Sequence, residues 1–172
     1  MTWKGIIWNQ FGAAIDMLDN AIQACPDDLW QARLFPDEIP EFAEFWYVAY
    51  HTLFWLDFYL SEAAEGFAPP APFTLSEFDA GLLPERVYTK EELREYLVYG
   101  RTKCQTRIES ITDFMAPQRI RSDWHEMSVA EMLIYNLCHV QEHAAQLSLF
   151  LGQKVGSAPG WVSKARNKGT AE

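Results

Sequence analysis

The sequence has few basic residues and few cysteines. Its 14 Lys and Arg residues are outnumbered by 24 Asp and Glu residues, which gives a net charge of -10 and a pI near 4.8. Nucleic acid is bound by basic surfaces, so this charge balance argues against a nucleic-acid partner. The basic residues near the C-terminus are too few to form a binding patch, and we interpret them as solvated: Lys154, Lys164, Arg166 and Lys168.

The three cysteines, Cys25, Cys104 and Cys138, are odd in number and widely spaced. They form no CxxC pair and no disulfide framework, which is typical of a protein from a reducing compartment. We expect all three to be free thiols that pack as small apolar side chains. The predicted location is the cytoplasm.

No segment reads as a signal peptide or a membrane span. The N-terminus lacks the basic-then-apolar order of a signal peptide. The most apolar stretch, residues 42–60, contains Glu44, His51 and Asp57 and is therefore not a predicted membrane helix. The sequence predicts a protein with no membrane partner.

What the sequence does have is apolar and aromatic residues, at 49% and 15% of its 172 residues. This is enough for one domain with a substantial core. Periodicity and punctuation predict four long helices, at about residues 3–24, 41–64, 89–116 and 128–152. The firmest signals are two capping boxes, Thr89 with Glu92 and Ser128 with Glu131. No strand is predicted.

Four helices with apolar stripes predict an all-α fold, a four-helix bundle. Between Gly66 and Tyr88 lies a Pro-rich segment that is long enough to run the length of the bundle. Such a crossover makes helices 2 and 3 parallel, so we predict up-down-down-up topology. The predicted domain is residues 1–152, and residues 153–172 form a C-terminal tail that is partly packed on the bundle.

The fourth helix carries two histidines, His139 and His143, at positions i and i+4. These side chains point the same way, one turn apart, and can converge on one metal ion. Asn136 and Gln146 fall on the same arc, so a polar strip lies where core residues are expected. The alternatives are a pair of surface histidines, or two core histidines that are hydrogen-bonded to neighbours.

A third histidine, His51, lies about ten residues into helix 2, among aromatic residues. If helix 4 runs antiparallel to helix 2, the matching level lies near residue 141, between His139 and His143. Three imidazoles at one level form a metal site with a free coordination position. We therefore predict a metal site made of His51, His139 and His143.

Residues 139–143 also fit the H-x-x-E-H signature of inverted zinc proteases, with Glu142 as general base. Those enzymes need a further carboxylate ligand from a later helix. Only Glu172 is acidic after His143. We interpret Glu142 as a solvated helix residue.

One histidine in helix 2, H-x-x-x-H in helix 4 and a Pro-rich crossover before the run YTKEEL together resemble the DinB/YfiT-like family of metal-dependent four-helix bundles. The resemblance covers roughly residues 1–152. It implies a divalent metal, Zn²⁺ or Ni²⁺, on His51, His139 and His143, and often a homodimer. In some relatives it also implies chemistry that depends on low-molecular-weight thiols such as bacillithiol or mycothiol.

The function expected first is thiol transfer to a small electrophile, with the metal activating a low-molecular-weight thiol. The second is metal-dependent hydrolysis of a small ester or amide. The third is a non-enzymatic, metal-binding stress protein. Tyr47, Trp55, Asn136 and Gln146 are candidates to line a substrate pocket, and their alternative role is ordinary core packing.

Aromatic residues are spread around more of helix 2 than one core stripe requires. Exposed apolar surface of this kind marks interaction sites, and two-fold dimers are the commonest assemblies. We therefore expect a homodimer through a surface that includes Phe45, Trp46, Phe54, Trp55, Phe58 and Tyr59.

Overall fold

The computed structural model describes residues 2–61, 65–121 and 126–166. Its four α-helices are α1 (Trp3–Ala24), α2 (Phe45–Tyr59), α3 (Lys90–Ser110) and α4 (Val129–Val155). Short 3-10 helices lie at Asp27–Leu29, Pro40–Ala43 and Ser76–Phe78. Two three-residue strands, β1 (Arg119–Arg121) and β2 (Glu126–Ser128), pair antiparallel before α4. The prediction of an all-α bundle is confirmed, and the prediction of no strand is wrong at this hairpin.

Helices α2 and α3 run parallel. The Tyr96 hydroxyl donates to Asp57 Oδ2 at 3.0 Å, and the Lys103 ammonium donates to Ser61 Oγ at 2.8 Å. Residue numbers therefore rise in the same direction along both helices. This is the direction that a crossover spanning the bundle requires.

The directions of α1 and α4 are also consistent with up-down-down-up topology. Helix α1 is antiparallel to α3, because Lys4 bonds to the carbonyl of Glu109 whereas Asp19 bonds to Arg94. Helix α4 packs between α1 and α2 and is antiparallel to α2. Each helix thus has two packed neighbours, and α1 and α2 lie diagonally opposite.

The capping boxes set the starts of two helices as predicted. The hydroxyls of Thr89 and Ser128 accept hydrogen bonds from the backbone N–H groups three residues later. In return, the side chains of Glu92 and Glu131 accept hydrogen bonds from the backbone N–H groups of Thr89 and Ser128. Helix α1 has its predicted bounds. Helix α4 continues to Val155, beyond the predicted end, and stops where the backbone turns left-handed at the next glycine.

Helix α2 is shorter than predicted at both ends. The N–H groups of Phe45 and Trp46 bond to the carbonyls of Ala32 and Trp30 rather than to a preceding helical turn. The segment from Pro40 is therefore a separate 3-10 turn. Helix α3 also ends early, at Ser110 instead of residue 116, because the next residue adopts an extended backbone. Residue 64, the predicted end of helix 2, lies outside the described residues.

The crossover covers the aromatic surface of α2. Phe73 stacks on Tyr50, and Phe67 and Phe78 contact the ring of Phe54 edge-on. Of the residues expected at a dimer surface, four are buried by this chain itself: Phe45, Trp46, Phe54 and Phe58. The prediction of a dimer surface on α2 is therefore wrong, and the homodimer itself stays a prediction.

Part of the C-terminal tail packs on α1. The N–H of Ala165 donates to the carbonyl of Asn9 at 2.8 Å, and the N–H of Arg166 donates to Asp16 Oδ2 at 2.7 Å. Ala165 is buried against Gly12, where a side chain would collide with it. The proposed domain boundary at residue 152 stays a prediction.

Among the described residues, no helix is both long enough and apolar enough to cross a membrane.

Candidate metal centre

Three histidines from two helices meet at the level predicted from the sequence. His51 comes from α2, and His139 and His143 come from successive turns of α4. One nitrogen from each ring lies within 4.8 Å of the others, and each residue is half-buried. The Nε2 atoms of His51 and His139 are 3.3 Å apart.

Packing of α4 on its neighbours fixes the direction of the two histidines. Val140, Ala144 and Leu147 are fully buried and hold α4 against the core. Asn136, also fully buried, donates from Nδ2 to the Leu56 carbonyl at 3.1 Å. This bond links α4 to α2 one turn before His139.

His51 is held by Glu77, a residue that the sequence analysis missed. Its Nδ1 lies 2.7 Å from Glu77 Oε2. The same oxygen accepts from Trp55 Nε1 at 2.8 Å, and Tyr47 OH donates to the other carboxylate oxygen. Because a carboxylate only accepts hydrogen bonds, Nδ1 of His51 carries the proton and Nε2 presents its lone pair to the other histidines.

The Nδ1 atoms of His143 and His139 have different surroundings. His143 Nδ1 lies 2.8 Å from Gln146 Oε1, which likewise leaves Nε2 free. His139 Nδ1 is buried and has no hydrogen-bond partner among the described residues. Two of the three rings are thus oriented by a protein acceptor.

The environment keeps the α4 histidines neutral. Burial, together with the neighbouring His143 and His51, lowers the pKa of His139 to about 3. Burial and His51 also lower the pKa of His143. Neutral imidazole is the form that ligates metals, so at neutral pH protons do not compete for these nitrogens.

Glu77 is an anion in this environment. Burial raises the pKa of its carboxyl group, but hydrogen bonds from His51, Tyr47 and Trp55 counteract burial, and the pKa lies below the usual range. The Glu77 side chain is only 4% exposed. The result is a buried negative charge directly behind one of the imidazoles.

These residues fit a divalent ion. Two imidazole nitrogens on one tetrahedral zinc ion, each about 2.0–2.1 Å from it, are roughly 3.3 Å apart, and the His51–His139 separation is 3.3 Å. Imidazole donors suit Zn²⁺, Ni²⁺ and related ions. The same 3.3 Å separation also suits a hydrogen bond from His139 to His51, which is the arrangement expected of a histidine cluster without metal.

A cavity of about 310 Å³ opens onto the site. His51, His143 and Glu77 form part of its wall. The rest of the lining is mainly apolar, with one exposed acidic residue: Phe35, Phe42, Tyr47, Val48, Ser76, Asp79, Ala80 and Gly81. A small molecule in this cavity would meet two of the three histidines.

The four residues predicted to line a pocket take different positions. Tyr47 lines the cavity and bonds to Glu77. Trp55 bonds to Glu77 from the far side, and Gln146 bonds to His143. Asn136 is a fully buried link between helices. All four lie near the histidines, and of these only Tyr47 is in the cavity lining.

Two neighbours of the histidines lie on the outside of α4. Glu142 is exposed, as predicted for a solvated helix residue. Cys138 is also exposed, so the expectation that all three cysteines are packed side chains is wrong at this position. The adjacent position on a helix is turned by about 100°, which takes Cys138 away from the site that His139 faces.

Glu77 could not have been found from the sequence by spacing. It lies in the crossover, 26 residues from His51, and no helical periodicity relates the two. The only signal is indirect: the crossover must run along α2, and Glu77 is an acidic residue in an aromatic stretch of it.

Residues 10–147, most of the chain, match the family model of the DinB superfamily. Neither the curated proteins nor the solved structures include a significant match.

Proposed function

The chain belongs to the DinB superfamily, and from that premise we propose that it is a metal-dependent enzyme with His51, His139 and His143 as metal ligands. The reaction we propose is transfer of a low-molecular-weight thiol to a small electrophile. Zn²⁺ or Ni²⁺ is the proposed ion, as the imidazole donors favour.

The observation that carries the proposal is an open donor set beside a cavity. The group of His, Cys, Asp and Glu side chains that could hold an ion contains three histidines and, among the described residues, no fourth member. Structural zinc sites are closed by four protein ligands, whereas catalytic sites keep a position open. The cavity reaches His51 and His143, where a small molecule could approach.

In this proposal the histidines hold the ion, and neighbouring residues orient the histidine rings. The Nε2 atoms of His51 and His143 are free for an ion because Glu77 and Gln146 occupy the Nδ1 atoms. An ion bound there would supply a Lewis acid, which lowers the pKa of a thiol or of water. The rings of Trp55 and Tyr59 contact those of His51 and His139 and give this side of the site apolar neighbours.

The cavity lining supports an apolar and uncharged electrophile. Phe35, Phe42 and Val48 offer apolar contact, and the charged residues in the lining besides the histidines are Glu77 and Asp79. No Lys or Arg is among the lining residues that the structure describes. A carboxylate or phosphate on the substrate would therefore meet no cationic side chain in this lining.

Co²⁺ substitution tests the proposal. A thiol that coordinates the ion should produce a sulfur-to-cobalt charge-transfer band, because thiolate is a good ligand for ions of this class. Only in the metal-loaded protein should the same thiol then displace halide from a haloaromatic, or open the C–O bond of an epoxide to give a hydroxy thioether. Hydrolysis of small esters without any thiol would instead favour the hydrolase. A Co²⁺ spectrum that no thiol or substrate changes would indicate a metal-binding protein without catalysis.

A further inference from the structure

We propose that Glu77 is a positioning residue that sets the tautomer of His51 and couples the crossover to the bound ion. This inference rests on the proposed metal centre, which it extends to a residue outside the helices that supply the ligands.

The position of the proton on His51 is set by Glu77. A neutral imidazole carries one proton, and the hydrogen bond made by one nitrogen decides which nitrogen is left to ligate. Glu77 Oε2, at 2.7 Å from Nδ1, accepts that proton's hydrogen bond. His51 thus presents Nε2, and not Nδ1, towards His139 and His143. Carboxylates in this position also raise the basicity of the ligating nitrogen.

The buried negative charge of Glu77 favours a cation nearby. A buried carboxylate is costly unless it is paired. The Glu77 side chain is 4% exposed, and the ionisable side chain that pairs with it in the described part of the chain is His51. Tyr47 and Trp55 supply neutral hydrogen bonds only. A cation on the other nitrogen of His51 would offset the negative charge of Glu77, which a neutral imidazole cannot do.

The crossover connects Glu77 to one wall of the cavity. Glu77 belongs to the 3-10 helix Ser76–Phe78, and the next residues, Asp79, Ala80 and Gly81, form one wall of the cavity. Coupling between two binding events is reciprocal. If docking of Glu77 on His51 strengthens the binding of the ion, the ion must strengthen the docking of this wall by the same factor. Metal loading and order of the cavity wall are therefore linked.

Three variants isolate the effect. Glu77→Ala removes both acceptor oxygens and the charge, whereas Glu77→Gln removes the charge, keeps one acceptor oxygen and replaces the other with an NH2 donor. Glu85→Gln is the matched control, an exposed acidic residue in the same crossover. With Zn²⁺ affinity measured by chelator competition, we expect Glu77→Ala to bind about 10–100-fold more weakly than the wild type. Glu77→Gln should be intermediate and Glu85→Gln unchanged.

A second measurement needs no metal. Nitrogen-15 NMR of the histidine rings at about pH 8.5, well above the ordinary imidazole pKa, reports the tautomer of His51 directly. The wild type should show the Nδ1–H form, and Glu77→Ala should shift towards Nε2–H. A protein that binds no metal would end the proposed function but leave this result intact. An Nε2–H tautomer in the wild type would overturn the inference itself.

Hydrogen exchange tests the coupling. Zn²⁺ should slow amide exchange over residues 76–81 in the wild type and have a much smaller effect in Glu77→Gln. If Glu77 were only a packing residue, its variants would lower the melting temperature while Zn²⁺ affinity and the His51 tautomer stayed at wild-type values. That result, or equal slowing by Zn²⁺ in the variant, would refute the proposal.

Discussion

Nε2 of His51 lies 3.3 Å from Nε2 of His139, although the two residues are 88 positions apart in the chain. The antiparallel packing of α2 on α4 brings them together. The bond from Asn136 to the Leu56 carbonyl fixes the register of the two helices one turn away. A shift of one helical turn, about 5.4 Å, would separate the rings, so the donor set depends on helix packing as much as on the histidines.

Removal of one partner from the buried Asp57–Lys103 pair should be strongly destabilising. Asp57 is fully buried, and its carboxylate accepts from Lys103 at 2.5 Å and from Tyr96 at 3.0 Å. Lys103→Met leaves a buried charge without its cation, which costs about 3 kcal/mol in unfolding free energy. Urea denaturation measures this loss. The double variant Asp57→Asn, Lys103→Met should recover most of it, and a single variant within about 0.5 kcal/mol of the wild type would contradict the expectation.

The lack of a side chain at Gly12 should matter for packing of the C-terminal tail and not for formation of α1. A Cβ at this position would lie 2.4 Å from Cβ of Ala165. Gly12→Ala should therefore destabilise the protein by about 1–3 kcal/mol, as overpacked sites do, despite the better helix propensity of alanine. In the Ala165→Gly background the 2.4 Å contact is removed, although Trp8 Cζ2 at 3.3 Å and Ala165 Cα at 3.4 Å remain close. The same change should therefore be clearly less destabilising there than in the wild type. Thermal unfolding of the wild type, the two single variants and the double variant measures the effect of Gly12→Ala in each background. An equal effect in both backgrounds would show that the tail does not pack on Gly12 in solution.

The cavity should discriminate against anionic electrophiles. When the carboxylate is on the part of the electrophile that points away from the bound ion, a distance of about 4 Å from exposed Asp79 disfavours it by about 1 kcal/mol, roughly fivefold in rate. We expect a neutral haloaromatic to react with a kcat/KM about fivefold above that of its carboxylate analogue. Asp79→Asn should reduce this difference in kcat/KM. Glu85→Gln, which lies outside the cavity lining, should leave the difference unchanged. Faster reaction of the anionic analogue would refute this account of the lining.

The homodimer remains a prediction, now with a different surface. With most of the α2 aromatic residues buried, the apolar side chains that α4 exposes are the better candidates, among them Ile134, Tyr135 and Leu149. Sedimentation equilibrium should show a dimer, and Leu149→Glu should shift it towards monomer. A wild-type mass that stays monomeric at all concentrations would end the prediction.

Helix α1 and the starts of α3 and α4 were predictable because their signals are local, and the topology was predictable because the crossover is long enough to span the bundle. The apolar periodicity of α1 gave its bounds, and two capping boxes placed the starts of α3 and α4. The start of α2 was not predictable, because it depends on backbone bonds from Phe45 to Ala32 that a sequence pattern does not reveal.

The histidine cluster was predictable because helix geometry relates its members. His139 and His143 are one turn apart, and the depth of His51 in an antiparallel neighbour placed it between them. Glu77 was not predictable, since it comes from an irregular segment that only the folded crossover brings to His51. The expected dimer surface failed for the same reason: the crossover covers it.

The most direct test of the central claim is the metal content of the purified protein after reconstitution with Zn²⁺ or Ni²⁺ and removal of free ion. Elemental analysis should find about one ion per chain in the wild type and in Glu142→Gln, an exposed change on the same helix. The triple variant His51→Ala, His139→Ala, His143→Ala should hold almost none while remaining folded by circular dichroism. One ion per chain retained in the triple variant, or none in the wild type, would contradict the assignment of these three histidines.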